Sequence, residues 1–248
     1  MAKRAAHPRG RARRLNERRL KSVGLVGGLG PESTIDYYRR ILAGWAAHSP
    51  SDAPSIVIDS LDVQRGLRLA GTDRAGLAAY VAESIRRLAA AGVDFVAISA
   101  NTVHVVFDEL AAASPVPLVS IVEVCADEAV RRSLRRPLLL GTRFTMEGRF
   151  YEPVWARRGL EVVTPGAADR SWLHERYVTE LLQGDFRDQT RAGVVALVTR
   201  VASESGADSV ILGGTELPLL LRDDEVAGLP VLDTTALHVA AIVARLLS

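Results

Sequence analysis

The chain of 248 residues is 48% hydrophobic and 24% charged, with a formal net charge of +2, which fits one large or two small globular domains. Its single cysteine excludes an internal disulfide and favours a reducing compartment. No apolar run has the length of a membrane helix or the pattern of a signal peptide. We therefore expect a cytoplasmic protein that has no membrane partner.

Residues 1–21 are strongly basic, with nine of the 31 Lys and Arg residues and a single acidic residue, Glu17. A basic run can contact nucleic acid, but this one contains no aromatic residue and has no folded basic motif beside it. We predict a disordered basic tail, or an incorrectly assigned start of the chain, rather than a nucleic-acid-binding arm.

Apolar strands alternate with helical segments along the rest of the chain. The pattern predicts strands at Val23–Val26, Ser55–Ser60, Phe95–Ser99, Leu118–Ser120, Pro137–Leu140, Glu161–Val163, Ser209–Leu212 and Val231–Leu232. It predicts helices at about 31–48, 73–91, 103–113, 121–134, 145–158, 168–184, 187–205, 216–221 and 234–247. Such alternation is typical of an α/β fold with a mostly parallel sheet.

Two segments that lie 114 positions apart share one plan. Residues 92–106 and 206–220 each read as the end of a helix, a buried strand and a small polar turn, and Ala100 and Gly214 occupy matching positions in the two turns. A duplicated α/β unit places one turn from each half at the carboxyl ends of its strands, where such folds bind small ligands. We predict two pseudo-symmetric domains of mostly parallel sheet flanked by helices, with an active-site cleft between them.

Four segments resemble motifs of the aspartate/glutamate racemase family, and they are residues 24–38, 100–104, 140–147 and 213–218. The resemblance covers about residues 22–248 and is nearest the subgroup active on L-amino acids. It implies inversion of an amino-acid α-carbon without a cofactor, by two cysteines in motifs similar to Cys-Asn-Thr and Gly-Cys-Thr-Glu. The residues at those two positions here are Ala100 and Gly214, so both cysteine positions are substituted.

The same resemblance implies a domain division in which the last helix returns to the first half. Domain one would comprise residues 22–118 with 230–248, and domain two residues 119–229. Relatives of this kind often dimerise, so we expect a homodimer.

Catalysis without the two cysteines requires other groups, because removal of an α-proton needs a base on one face of the carbon and an acid on the other. The one cysteine, Cys125, follows an apolar strand and is expected to be a buried core thiol. His104 and Glu216 lie just beyond the two turns and form a plausible acid/base pair. A structural role for both, capping or orienting helix N-termini, is equally open. Ser99, beside Ala100, is a weaker candidate nucleophile.

Neutral hydrogen-bond donors in the turns suit a substrate carboxylate. Asn101 and Thr102 in the first turn and Thr215 in the second are predicted to bind it, as the resemblance also implies. Thr142 and Thr145 could add to this pocket, although helix capping is slightly favoured for both.

Two further elements carry candidate contacts to an anionic group. Ser33 and Thr34, at the start of the helix at 31–48, could bind a carboxylate together with backbone amides. Capping of that helix is an equally open role for both residues. Arg65 follows the second strand, where family members contact substrates, but a surface ion pair is the favoured use of this arginine.

Trp172 bears on the choice of substrate. By our alignment it stands where the nearest relatives have a lysine thought to hold an acidic side chain, and a large amphipathic ring would suit an aromatic or extended substrate. Packing of Trp172 on the surface between the domains is the equally open alternative.

We expect no cofactor and no metal. The glycines at 27, 28 and 30 do not have the spacing of a dinucleotide fingerprint, and the five histidines are scattered along the chain.

Three functions remain open. The first is a racemase-superfamily enzyme that uses cofactor-free acid/base chemistry on a small carboxylate or amino-acid-like substrate. The others are a repurposed lyase, decarboxylase or cyclase acting on a bulkier substrate, and a non-catalytic paralogue that binds a small molecule.

Overall fold

The computed structural model describes residues 20–248, so the predicted basic tail lies outside the described residues except for Leu20 and Lys21. The described chain forms two four-stranded sheets with helices packed on them. This arrangement confirms the predicted α/β fold. No helix in this part of the chain is long and apolar enough to cross a membrane.

The first sheet is built from the amino-terminal half of the chain. Its elements are β1 (Ser22–Gly27), α1 (Pro31–Ala46), β2 (Ser55–Ser60), α2 (Val63–Thr72), α3 (Arg74–Ala90), β3 (Phe95–Ile98), a 3-10 turn (Thr102–Val106), α4 (Phe107–Ala113) and β4 (Leu118–Val119). The strands run parallel in the order β2-β1-β3-β4. Burial of nearly every residue of β1 and β3 accounts for their continuous apolar sequences.

The second sheet follows the same pattern. Its half contains α5 (Ile121–Arg131), β5 (Pro137–Leu140), α6 (Arg143–Glu147), α7 (Tyr151–Ala156), α8 (Ala167–Thr179), a 3-10 turn (Leu181–Gln183), α9 (Asp188–Ser205), β6 (Ser209–Leu212), α10 (Leu217–Leu220), β7 (Glu225–Val226), β8 (Leu229–Asp233) and α11 (Thr234–Leu247). The strand order is β5-β6-β8-β7, with β7 antiparallel to β8 and the other pairs parallel.

The two halves share one plan at the spacing of the sequence repeat. Strands β3 and β6 lie 114 residues apart, and so do the first residues of α3 and α9, which are Arg74 and Asp188. The neighbouring strands β1-β3-β4 of one sheet match β5-β6-β8 of the other. Helices α5 and α11, which follow matching strands, pack against each other and join the halves.

Strand β8 belongs to the second sheet, because Val231, Leu232 and Asp233 pair with β6. The predicted domain boundary at 230 grouped this strand with the first domain, and the pairing corrects that part of the division. Helix α11 packs on α1, β1 and β4 of the first half as well as on α5.

Helix α2 was not predicted, and it matters for the site. Asp62 caps its first turn by accepting hydrogen bonds from the backbone N–H groups of Gln64 (2.8 Å) and Arg65 (3.3 Å). Asp73 then separates it from α3 and caps that helix through Gly76 N–H (2.8 Å). Two capped helices therefore stand where the sequence predicted a loop and one helix.

Two further predictions were wrong in detail. The helix at 145–158 is divided into α6 and α7, because Arg149 between them has a φ of 53°, which a continuous helix cannot contain. The strand at Glu161–Val163 is reduced to a single bridge between Val163 and Leu138.

Candidate functional site

The turns that follow strands of both sheets meet at one cavity of about 40 Å³. Its polar lining comes from the turns and from α8, and consists of Asn101, Thr102, Thr142, Tyr177, Thr215 and Glu216. Ala100 and Gly214, the matching positions of the two turns, also line it. The cavity lies at the carboxyl ends of parallel strands, which is where open α/β folds bind small ligands.

An apolar wall closes the other side of the cavity. It is formed mainly by Leu29, Val63, Leu67, Ala70, Leu77 and Val103. Three of these residues belong to helix α2, so the element missed in the sequence supplies much of this wall. Lys, Arg and His are absent from the lining within the described residues.

Glu216 is the buried carboxylate of the site, with 1% of its surface exposed. Its Oε2 accepts hydrogen bonds from the Tyr177 hydroxyl and from Thr215 Oγ1 (3.1 Å). Its Oε1 has no hydrogen-bond partner among the described residues and lies against Gly30, where an added Cβ would overlap it. Burial raises the pKa of the Glu216 carboxyl, and the neighbouring hydroxyls of Tyr177, Thr215 and Ser33 partly oppose that rise.

Tyr177 occupies the space beside Gly214. A Cβ added to Gly214 would lie 2.5 Å from Tyr177 Oη, 2.6 Å from Cε2 and 2.8 Å from Cζ, all closer than real Cβ contacts. The backbone at Gly214 is not left-handed, so space and not conformation excludes a side chain. Burial and the neighbouring Glu216 charge raise the pKa of the Tyr177 phenol well above its usual value, which keeps the phenol neutral. Sequence reasoning missed this residue.

Three threonines form a hydrogen-bonded cluster that joins the two halves. Thr102 Oγ1 lies 2.9 Å from Thr142 Oγ1 and 3.0 Å from Thr145 Oγ1, and the latter two are 3.2 Å apart. Thr142 also caps α6, since its hydroxyl accepts the Thr145 N–H (3.2 Å). Thr102 and Thr142 line the cavity, and Thr145 supports them from behind.

Asn101 lines the cavity, but both its amide nitrogen and its amide oxygen are hydrogen-bonded to neighbouring side chains. Its Nδ2 donates to Thr234 Oγ1 (3.0 Å), and its Oδ1 accepts from the Tyr151 hydroxyl (2.5 Å). Thr234 in turn donates to the Leu212 carbonyl (2.7 Å). Asn101 therefore fixes the first turn to elements of the second half.

His104 does not belong to the cavity, which corrects its prediction as an acid/base residue. Its Nδ1 bonds to the Ala100 carbonyl (2.9 Å), and its Nε2 accepts the Ile121 N–H (3.2 Å). The ring stacks on Phe107, and burial lowers its pKa to about 4. With both nitrogens bonded to the backbone, the neutral ring orients the first turn and caps α5.

Ser33 and Thr34 shape the turn before α1 instead of lining the cavity. Both hydroxyls donate to the Gly30 carbonyl (2.8 and 3.0 Å), and Thr34 Oγ1 also accepts the Gly28 N–H (2.9 Å). Gly28 has a φ of +78°, which suits glycine, and Leu61 and Ser60 leave no room for a Cβ there.

Two other predicted residues lie outside the cavity. Arg65 is exposed on α2, with its guanidinium 4.4 Å from the centre of the Tyr80 ring. Trp172 packs its ring edge against Gly193 of α9, within the second half rather than on the surface between the domains. Neither residue lines the site.

Cys125 and Ser99 are accounted for by the core. Cys125 is fully buried in α5 beside Ile211 and Leu232, and burial raises its pKa strongly, as expected of an inert core thiol. Ser99 donates its hydroxyl to the Val26 carbonyl (3.0 Å) and does not line the cavity.

The fold and site define a duplicated α/β protein whose ligand cavity lies between related halves. A model of the Asp/Glu/hydantoin racemase family matches residues 26–242, and the chain belongs to this family. It is 25% identical to the broad specificity amino-acid racemase RacX of Bacillus subtilis, over 86% of this chain and 93% of RacX.

Solved structures agree with this assignment. A Yersinia pestis protein assigned to the Asp/Glu racemases is 31% identical, with a TM-score of 0.82, and the match covers 92% of this chain and all of that one. An aspartate racemase homologue from Pyrococcus horikoshii is 30% identical with a TM-score of 0.77, over 92% of this chain and all of the other.

The structural role of His104 predicts a specific pH dependence of stability. The folded protein binds a proton on His104 at a pKa of about 4, whereas an unfolded histidine has a pKa of about 6.5. The free energy of unfolding should therefore fall as the pH drops below 6.5, by about 2 kcal/mol from this residue between pH 6.5 and 5. In His104→Gln this part of the acid dependence should be absent in urea unfolding at the two pH values. Equal acid slopes for His104→Gln and the surface control His48→Gln would contradict the prediction.

The contact between Tyr177 and Gly214 predicts strong coupling between the two positions. Gly214→Cys should lower the free energy of unfolding by about 1–3 kcal/mol, because the new side chain overlaps the Tyr177 ring. In a Tyr177→Ala background the same change should cost much less, which a double-mutant cycle by urea denaturation would measure. Ala100→Cys serves as the matched control, since Ala100 already has a Cβ at the cavity. Additive costs would show that Tyr177 does not fill this space.

Proposed function

We propose that the protein is an enzyme that moves a proton on a small carboxylate or amino-acid-like substrate without a cofactor and without the two-cysteine mechanism. Glu216 provides the basic group in this proposal. The observation that carries it is the buried Glu216 carboxylate at the cavity, with one oxygen lacking a partner among residues 20–248. A buried carboxylate with one oxygen left without a hydrogen bond is costly to the fold, and such groups are typical of functional sites.

Family membership supports the class of reaction, since RacX, to which the chain is similar, is described as a broad specificity amino-acid racemase. The raised pKa of Glu216 brings a carboxyl closer to the pH at which it can both take and return a proton. Ala100 and Gly214, the residues at the two cysteine positions of the resemblance, have no titratable group.

The substrate is proposed to have an apolar side group. The wall of α2 offers it Val63, Leu67 and Ala70, and none of the lining residues in the described chain is a cation that would hold a second carboxylate. The hydroxyls of Thr102, Thr142 and Thr215 can rotate to donate to the single carboxylate.

We also propose, from the resemblance and the composition, that the protein is a cytoplasmic homodimer. Exposed apolar side chains on two helices that pack on each other support the dimer, namely Ile35 and Tyr38 of α1 and Leu247 of α11. Light scattering coupled to gel filtration would measure the mass in solution.

Substitution of Glu216 should abolish proton transfer. In D₂O, loss of the α-proton signal of phenylglycine, phenylalanine, leucine and aspartate can be followed by NMR. We expect exchange with the apolar amino acids, reduced by about 100-fold or more in Glu216→Gln because the amide cannot accept the proton. Glu128→Gln, which changes a carboxylate paired with Arg131 and Arg132 away from the cavity, should exchange at the wild-type rate. Binding of these amino acids with no exchange of any α-proton would overturn the proposed function.

The apolar wall predicts which residues of α2 affect affinity. Leu67→Ala should weaken phenylalanine binding by about tenfold, since it removes apolar surface at the cavity. Arg65→Ala, on the exposed side of the same helix, should leave the affinity unchanged. Isothermal titration calorimetry measures both. A larger loss for Arg65→Ala than for Leu67→Ala would show that the arginine, and not the apolar wall, contacts the ligand.

A further inference from the structure

The hydrogen bonds of Tyr177 leave its hydroxyl with one free position. The Oη donates its proton to Glu216 Oε2 and accepts the Glu216 backbone N–H (3.2 Å). A phenol oxygen has two lone pairs, so one acceptor site remains in this arrangement. Tyr177 lines the cavity, beside the hydroxyl of Thr215.

The two matching turns differ in what stands beside them. At Gly214 the space for a side chain is filled by a phenol that is bonded to a carboxylate. At Ala100 the methyl group belongs to an apolar cluster that includes Leu77 and Val103. Tyr177 and Glu216 are the two titratable side chains among the lining residues of the described chain, and both lie at the Gly214 turn.

We propose that Tyr177, backed by Glu216, is the group that exchanges a proton with the substrate, and that it does so on one face of the α-carbon only. This inference rests on the proposed function and adds to it both the residue that touches the substrate and the stereochemical outcome. A symmetric racemase needs an acid or base on each face, and the face at Ala100 offers neither.

The proposed proton transfer is a relay through two side chains. The α-carbon–hydrogen bond breaks and its proton passes to Tyr177 Oη, while the hydroxyl proton of Tyr177 passes to Glu216 Oε2. The electron pair of the broken bond stays on the α-carbon and spreads into the substrate carboxylate. The proton now on Tyr177 exchanges with solvent deuterium before the step reverses. Reversal then returns a deuteron to the same face, so the substrate gains deuterium with retention of configuration.

The test follows deuterium uptake and configuration together. Each enantiomer of phenylglycine and of phenylalanine is incubated in D₂O with wild type, Tyr177→Phe and Tyr37→Phe, and then analysed by NMR and by chiral chromatography. Tyr37 is a matched control, because its buried hydroxyl bonds to His238 Nδ1 (3.0 Å) away from the cavity. We expect exchange of one enantiomer with retention, an unchanged rate in Tyr37→Phe, and a loss of about 100-fold or more in Tyr177→Phe.

A second variant keeps the shape of the ring and changes only its acidity. Site-specific Tyr177→3-fluorotyrosine makes the phenol a stronger hydrogen-bond donor to Glu216, which lowers the pKa of that carboxyl. The acidic limb of the pH profile of exchange should therefore shift to lower pH, whereas a ring that only fills space would leave the profile unchanged. Unchanged exchange in Tyr177→Phe combined with loss in Glu216→Gln would overturn the role of Tyr177 while leaving the proposed function intact. Exchange accompanied by racemisation would overturn the one-faced mechanism. Absence of exchange with every bound amino acid would instead overturn the proposed function itself.

Discussion

The buried hydrogen bonds of Asn101 hold the two halves of the molecule in register, and the rest of the site depends on them. One side-chain amide connects the turn after β3 to Tyr151 of α7 and, through Thr234, to the last residue of β6. These groups are removed from water, so loss of one partner would leave another buried and unsatisfied. The threonine cluster adds a second junction between the same halves. The turns at Ala100 and Gly214 are consequently held together at a single cavity.

Burial gives the polar residues around the cavity different roles. His104 is as buried as Glu216, but its two nitrogens are both bonded to backbone groups, so burial makes it a neutral structural element. Glu216 retains an unpaired oxygen and is bonded to a phenol that lines the cavity. The same physical environment therefore excludes one predicted acid/base residue and favours the other. Residue type alone does not distinguish His104 from Glu216 as an acid/base candidate, because the difference lies in their hydrogen-bond partners.

Much of the fold follows from the sequence, since parallel strands buried on both faces read as apolar runs and the repeat fixes their correspondence. Helix α2 escaped prediction because Gly66 and Gly71 lower its intrinsic helix propensity, and packing on α3 outweighs that cost. The role of Tyr177 was not predicted because the family resemblance indicates Trp172 as the substrate contact on this helix. Trp172 lies five residues earlier, on another face of the helix. The sequence does contain one indication of such a residue. Gly214 in a buried turn leaves a space that a side chain from another element must fill.

In the proposed mechanism, helix α2 separates the recognition of a substrate from the chemistry performed on it. Its ten residues supply much of the apolar wall but none of the titratable groups at the cavity in the described chain, and it packs mainly on α3 between two aspartate caps. Substitutions along this helix can reshape the wall without disturbing Glu216 or Tyr177, which are fixed by the second half. If Glu216 and Tyr177 are the proton-transfer groups, as proposed, substrate range can diverge on this short segment while those groups stay constant.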